Sequence, residues 1–400
     1  MTHLRCSVSH CGTTFDLHDR ALACLKCGNL LEVAIEAPKT DVRELKRLWL
    51  ERRTSNDVRD VSGVWRFREF LPDGYGPGGV VTLGEGNVPL VRGQKTAAWA
   101  GLNRLWFKHL GWNPTGSFKD LGMTAGMTEA KFTGATAVAC ASTGNTAASL
   151  AAYAARAGVA GRVYLPAGQA SANKLAQALD FGAELIEIEG SFDDALNILL
   201  EKADPNLYFL NSINPFRIEG QKTAMFELFE QLQWRVPDYL VVPGGNLGNS
   251  SAFGKAFMEL KTYGFIEKVP RIVIVQAKGA NPLSRMWNAG ATELEAVAQP
   301  ETDATAIRIG NPRSWKKALD GVRFSGGRVM DVTDEEIGEA KAMIGRDGIG
   351  CEPASATTLA GLRKLVNSGD IDRDAEVVAI LTGHALKDTD YIIKSRKAAR

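Results

Sequence analysis

From residue 104 onward the chain alternates two patterns of apolar and polar positions. Short runs dominated by apolar and β-branched residues read "RLWFK", "ATAVACAS", "RVYLPA", "ELIEIEG", "DYLVVPGG", "RIVIVQAKG" and "AEVVAILTG". Between them lie longer stretches with helical spacing: about Gly116 to Phe132, "TGNTAASLAAYAARAG", "SANKLAQALDFG", "SFDDALNILLEKA", "NLGNSSAFGKAFMELKTYG" and "NPLSRMWNAG". Capping residues open these stretches and glycines close several of them. Strands alternating with helices of this length predict parallel sheets joined by crossover helices. The fold class is α/β, and ligands are expected at the carboxyl ends of the strands. Residues 37 to 80, charged and broken by glycine and proline, read as a connector. Thr302 to Gly327 reads as a loop or lid.

The 400 residues exceed what one core usually serves, which predicts two domains and a small appendage. Lys+Arg at 47 against Asp+Glu at 46 leaves a formal charge of +1, so no general field draws nucleic acid or an anionic membrane. An anionic ligand must be held by a local site. No stretch approaches the ~20 apolar residues of a membrane span, and "MTHLRCSVSHC" has no signal or transit character, so the expected setting is cytoplasmic.

Four of the six cysteines fall in the first 27 residues. Cys6 and Cys11 are four residues apart, Cys24 and Cys27 two apart, and twelve residues separate the pairs. This ribbon-like spacing suits tetrahedral zinc, with His3, His10 or His18 able to replace a ligand. A module of reduced thiols without metal is the other reading.

Three Gly/Ser/Thr/Asn clusters stand at strand ends: "ASTGNTAAS", "PGGNLGNSS" and "LTGHALKD". In "PGGNLGN" the glycines let main-chain N–H groups converge at a helix N-terminus, where an anion such as phosphate is favoured. A turn that merely lets a helix pack closely would look the same. Neither the P-loop nor the dinucleotide fingerprint is present. Ser142 or Thr143 could be an ordinary N-cap, whereas the Asn145 amide can donate to a phenolate oxygen. Thr382 could bond a ring nitrogen or serve a turn. Lys119, in "NPTGSFKDLGM", is flanked by small and apolar residues. A lysine, an anion cradle, an asparagine and a threonine hydroxyl together describe a pyridoxal phosphate site, with the lysine as Schiff base.

Over nearly its whole length the chain resembles the threonine synthases, of the tryptophan-synthase-β-like (fold type II) class of pyridoxal phosphate enzymes. The motifs that carry the resemblance occur in order: "LGEGNVPL", "NPTGSFKDLGM", "ASTGNTAAS", "NSINPFRIEGQKT", "VVPGGNLGNSSAFGKAF", "TAIRIGNPRSW", "CEPASA" and "LTGHALKD". Several are shared with neighbouring families; "NPFRIEGQKT" and "AIRIGNP" point more narrowly. The resemblance implies a zinc-ribbon-like module over 1–36, a large cofactor-binding domain over 37–119 and 212–400, and a small α/β domain over 120–211. It implies that Lys119 is the Schiff-base lysine and the base that removes the Cα proton, with Phe118 packing near the cofactor. Asn145 would meet the ring hydroxyl oxygen, Gly244, Gly245, Asn246, Leu247 and Gly248 the phosphate, and Thr382 the ring nitrogen. A hydroxyl there, in place of a carboxylate, implies a less firmly protonated ring.

For the substrate, Thr143 and Thr146 would contact carboxylate and hydroxyl, and Arg217, aided by Ser212 and Asn211, would clamp a phosphate. An arginine that only pairs with a carboxylate is the plain alternative. The implied reaction eliminates phosphate from O-phospho-L-homoserine and adds water at Cβ to give L-threonine, in a homodimer. Leu121 and Val88 depart from common family residues. A related enzyme such as cysteate synthase, acting on O-phosphoserine and sulfite, would keep the same cofactor residues. A non-catalytic zinc-ribbon binding protein would have eroded at Lys119, Asn145 or Thr382; none of these positions is eroded.

Overall fold

The structure, a computed structural model, describes residues 1–36, 38–168, 172–190, 204 and 206–398. The segment "SFDDALNILLEKA", expected to be a helix, lies outside the described residues. In chain order the strands are β1 (His3–Cys6), β2 (Thr14–Phe15), β3 (Leu31–Ala34), β4 (Leu90–Arg92), β5 (Arg104–His109), β6 (Ala137–Ala141), β7 (Ala160–Pro166), β8 (Glu184–Ile188), β9 (Leu207–Phe209), β10 (Tyr239–Pro243), β11 (Arg271–Ala277), β12 (Arg328–Val332) and β13 (Glu376–Leu381). The chain forms two compact units: one of Met1–Asn87, Asn113–Thr115 and Lys119–Ala224, the other of Val88–Trp112, Gly116–Phe118 and Met225–Arg400. No helix among the described residues is long and apolar enough to cross a membrane.

The first unit holds a small antiparallel sheet in the order β2-β1-β3 and a four-stranded parallel sheet in the order β8-β7-β6-β9. β6 is buried along its whole length, as a strand covered on both faces requires. Its core gathers Val138, Cys140, Leu150, Tyr153 and Val163 with Met123 and Met127 of the helix Lys119–Phe132. The second unit is built on a six-stranded sheet in the order β12-β11-β10-β13-β5-β4. All of its pairings are parallel except β4 against β5; β4 lies before residue 104, and the strands from 104 onward pair in parallel as expected.

Two expectations from sequence are corrected. Residues 37 to 80 are no mere connector: Asp41 caps the helix Val42–Arg52, and Trp49, Phe67 and Phe70 are fully buried, with the Trp49 and Phe67 rings edge-on at 5.0 Å. Charged residues surround these few apolar positions and hide the pattern. Thr302 to Gly327 is no open lid either: it holds the helix Trp315–Ser325, which runs against the helix Gly248–Thr262. A Cβ on Gly254 would come within 2.8 Å of the Gly321 Cα, so the two helices meet backbone to backbone.

Candidate functional site

In the first unit Lys119 is the first residue of its helix and is half-buried. The residue after it fixes the turn that delivers it. Asp120 accepts from the Thr115 N–H at 2.7 Å, the Thr115 hydroxyl at 2.7 Å and the Ser149 hydroxyl at 2.6 Å. Ser149 belongs to the helix Asn145–Ala157, so this carboxylate ties the lysine helix to the helix that Asn145 opens. Burial pushes the Asp120 carboxyl up from 3.8 to about 6, against the lowering pull of the Ser149 and Thr115 hydrogen bonds. Glu85 of "LGEGNVPL" is a second buried hub, accepting from Ser62, from Thr82 and, at 2.6 Å, from the Tyr153 hydroxyl. Sequence reading passed over both carboxylates; the only signal was an acid inside each of two dense motifs.

Thr143, Asn145 and Thr146 follow β6 in a half-buried loop in which Ser142 Oγ accepts the Gly144 N–H at 3.2 Å. The helix that follows has no side-chain cap, so the alternative of Ser142 or Thr143 as N-cap is not realised. Asn211 spends its amide on the end of β6, accepting the Ala141 N–H at 3.2 Å and donating to the Ala141 carbonyl at 3.3 Å. Asn214 holds the start of the helix Pro215–Gln231 by accepting the Arg217 N–H at 3.3 Å, with proline at the first helical position. Glycines let this helix approach the lysine helix: a Cβ on Gly122 would meet the Arg217 carbonyl oxygen at 2.7 Å, and one on Gly126 the Arg217 Cγ at 3.2 Å.

Arg217 is therefore pressed into the interior, 1% exposed. It donates from Nη1 to the Leu210 carbonyl at 2.9 Å, and its buried Nε has no partner. No carboxylate pairs with it among the described residues, so the plain reading of a helix-start ion pair is not what is found. Burial lowers its pKa from 12.5 to about 10. An uncompensated buried guanidinium is costly to leave without an anion.

The four cysteines Cys6, Cys11, Cys24 and Cys27 bring their sulfurs within 4.8 Å of one another. Cys6 and Cys27 are 3.5 Å apart and Cys11 and Cys24 3.7 Å, near the ~3.8 Å that four sulfurs around one zinc would have with Zn–S of about 2.3 Å. None of the three candidate histidines joins them. His18 instead places Nδ1 3.1 Å from both oxygens of the buried Glu129, which also accepts the Tyr75 hydroxyl at 2.8 Å. The module thus rests on the far end of the lysine helix. Its apolar core also takes in Phe216, the neighbour of Arg217, beside Leu4, Cys6, Cys24, Leu31 and Val33.

In the second unit β10 and β13 are paired and parallel, so the loops after Pro243 and Leu381 leave the same edge of the sheet. The loop after β10 is locked. Gly244 donates its N–H to the Val275 carbonyl at 2.8 Å, Asn249 Nδ2 donates to the Pro243 carbonyl at 3.1 Å, and Asn246 Oδ1 accepts the Arg313 N–H at 2.8 Å. A Cβ on Gly244 would lie 2.6 Å from Ile274 Cγ2, and one on Gly245 3.0 Å from Ile307 Cγ2. Leu247 takes a left-handed conformation, φ 64°, to turn the chain into the helix that Gly248 opens. After β13, Thr382 is 3% exposed, and its carbonyl accepts the Phe118 N–H at 2.9 Å. A bridge between Ser117 and Gly383 completes this pairing of the segment before Lys119 with the end of β13.

A family model of pyridoxal-phosphate dependent enzymes matches residues 81–383. The chain is 47% identical over 387 residues to a threonine synthase of Methanocaldococcus jannaschii, across 96% of this chain and 93% of the relative. It belongs to the threonine synthase family of pyridoxal-phosphate dependent enzymes. A threonine synthase of Methanosarcina acetivorans is 45% identical over 397 residues, across 98% of this chain and 94% of the relative. Among solved structures, the processed form of threonine deaminase isoform 2 from Solanum lycopersicum superposes with a TM-score of 0.67 at 19% identity, over 95% of this chain and 99% of that one. At that identity the likeness concerns the fold alone, and it is the fold type II architecture expected from the sequence. The match to the Methanosarcina relative takes in nearly the whole chain, so the family resemblance is not confined to the cofactor motifs.

Proposed function

We propose that this enzyme eliminates phosphate from O-phospho-L-homoserine and adds water at Cβ to give L-threonine. The observation that carries the substrate is Arg217: a buried guanidinium without a carboxylate partner among the described residues, in a motif shared with the family, fits a substrate phosphate. Ser212 adds a hydroxyl to that clamp, and Asn211, through Ala141, holds the strand end from which Thr143 and Thr146 receive the substrate's carboxylate and hydroxyl.

The residues fit pyridoxal phosphate. The glycines of the loop after β10 leave no room for side chains and present main-chain N–H groups at a helix start, which suits a phosphate. Gly244, Gly245, Asn246, Leu247 and Gly248 receive that phosphate, Thr382 the ring nitrogen, Asn145 the ring hydroxyl oxygen and Lys119 the aldehyde carbon, with Phe118 beside the ring. Bound there, the cofactor supplies an electron sink for the pair left when an amino acid loses its α proton. Lys119 takes that proton from Cα and returns it at the end of the cycle, a role suited to a half-buried amine. Loss of a proton from Cβ as well lets the phosphate held by Arg217 depart from Cγ; Cγ then gains a proton to become the methyl group, and water adds its hydroxyl at Cβ.

The domain division that goes with this reading is the module over 1–36, the cofactor domain over 37–119 and 212–400, and the small domain over 120–211. The reading also includes one structural zinc on Cys6, Cys11, Cys24 and Cys27, a homodimer, and a cytoplasmic setting. The sulfur spacings support the zinc. Elemental analysis is expected to give one zinc per chain, and a chelator is expected to lower the melting temperature; no zinc and an unchanged melt would remove it.

The test of function is a substrate panel. Threonine and phosphate should form in equal amounts from O-phosphohomoserine, with no cysteate from O-phosphoserine and sulfite. The reverse pattern would assign the cysteate reaction instead.

A further inference from the structure

The helix Asn145–Ala157 starts at a residue assigned to the cofactor, yet its start is loosely framed. It has no side-chain cap, a Cβ on Gly144 would meet nothing within 4 Å, and the loop before it is only half-buried. The helix is held from one side instead. Asn145, Ser149 and Tyr153 are spaced four residues apart and share one helix face. Ser149 donates its hydroxyl to Asp120 Oδ1 at 2.6 Å, and Tyr153, one turn further on, donates to Glu85 Oε2 at 2.6 Å. All four side chains are fully buried. Each acid is itself anchored: Asp120 by the Thr115 N–H and hydroxyl, Glu85 by Ser62, by Thr82 and by the Leu83 N–H at 3.1 Å. The other buried residues of this helix are alanines and one leucine, whose contacts carry no direction. Two hydroxyls one turn apart on fixed acids set both the rotation and the height of the helix.

The identity of the first acid gives this arrangement its consequence. Asp120 directly follows Lys119, so the Ser149 hydrogen bond joins the residue one turn below Asn145 to the residue beside the lysine. On pyridoxal phosphate the aldehyde carbon and the ring hydroxyl oxygen stand on neighbouring ring carbons. A lysine that engages the first and an asparagine that meets the second must therefore be set relative to each other, not only to the ring. We propose that Ser149, backed by Tyr153, is a positioning residue that holds Asn145 in register with Lys119. This rests on the reading of Lys119 and Asn145 as cofactor partners. Both hydroxyls are spent on buried acids, so their effect reaches the cofactor through Asn145.

The experiment uses the holoenzyme reconstituted with pyridoxal phosphate at pH 8 and reads the absorbance maximum and the circular dichroism of the bound cofactor's visible band, which report how the ring is held in its asymmetric site. Asn145→Ala sets the direction and scale of the change. Ser149→Ala is expected to move both readings in that direction, Tyr153→Phe to move them less, and Ser149→Ala to add nothing in a chain that already carries Asn145→Ala. A lowered melting temperature with a wild-type visible band in Ser149→Ala would make Ser149 a structural residue only and overturn the proposal. Additive shifts in the double variant would overturn the route through Asn145. Should Ser149→Ala not fold, Tyr153→Phe, which loses a single oxygen atom, decides in its place: a visible band shifted toward that of Asn145→Ala supports the proposal, and an unchanged one overturns it. A visible band unmoved by Asn145→Ala would overturn the assignment of Asn145 itself, and the proposal with it.

Discussion

The loops that follow β6 and β10 look alike in sequence, each a run of small residues between a buried parallel strand and a helix, yet they are built in opposite ways. The loop after β10 is locked: hydrogen bonds hold Gly244, Asn246 and Asn249, and added Cβ atoms would press on Ile274 and Ile307. The loop after β6 is only half-buried from Ser142 to Thr146, and a Cβ on Gly144 would meet nothing within 4 Å. The first geometry suits a group that is bound once and kept. The second suits a substrate that must enter and leave at each turnover, and it stands in the unit that also holds Lys119 and Arg217. Variants of the locked loop should therefore damage stability and cofactor retention, and variants on the open side should damage turnover.

The largest effect expected is on the open side. Lys119→Ala should retain its circular dichroism and melting behaviour yet lose at least about 10³-fold in turnover, within the range of a positioned acid–base group. Near-normal turnover would break the comparison outright.

Arg217→Met keeps most of the buried volume while removing the charge. It should lower kcat/KM for a phosphorylated substrate by roughly 10- to 100-fold, the equivalent of losing about 1.5–3 kcal/mol of charge-assisted hydrogen bonding. Stability should hold or rise, because an uncompensated buried charge is gone. Unchanged kinetics would take Arg217 out of the clamp.

A matched pair sharpens the contrast between the loops. Gly244→Ala should cost about 1–3 kcal/mol through overpacking and should weaken retention of the cofactor on dialysis. Gly144→Ala should change stability by less than about 1 kcal/mol. Equal costs at the two positions would mean that the loops are equally constrained.

The smallest effect is a slope. The Asp120 pKa is raised on folding from 3.8 to about 6, so its contribution to stability is fully present below about pH 3.8 and is lost as pH rises through about 6. Asp120→Asn should flatten that part of the stability–pH curve, as measured by denaturant midpoints. A curve parallel to wild type would mean that Asp120 is not buried as described.

Much of this arrangement could be read from the sequence because it is local. Apolar runs and helical spacing are written within ten or fifteen residues, and so are the glycines of the cradle and the lysine after its turn. The cysteine spacing predicted a cluster, and the four sulfurs converge. What could not be read depends on distant partners. Asp120 and Glu85 are single acids in dense motifs, and their roles come from Ser149 and Tyr153, residues 29 and 68 positions away. Residues 37 to 80 were misjudged because Trp49 and Phe67 meet only in the folded chain. Thr302 to Gly327 was misjudged because its helix is held by a Gly254–Gly321 contact that no hydrophobic pattern announces.

The most direct test of the account is borohydride reduction of the purified holoenzyme followed by peptide mapping. The account predicts one reduced pyridoxyl adduct per chain, on Lys119. An adduct on another lysine, or none with the cofactor present, would contradict it.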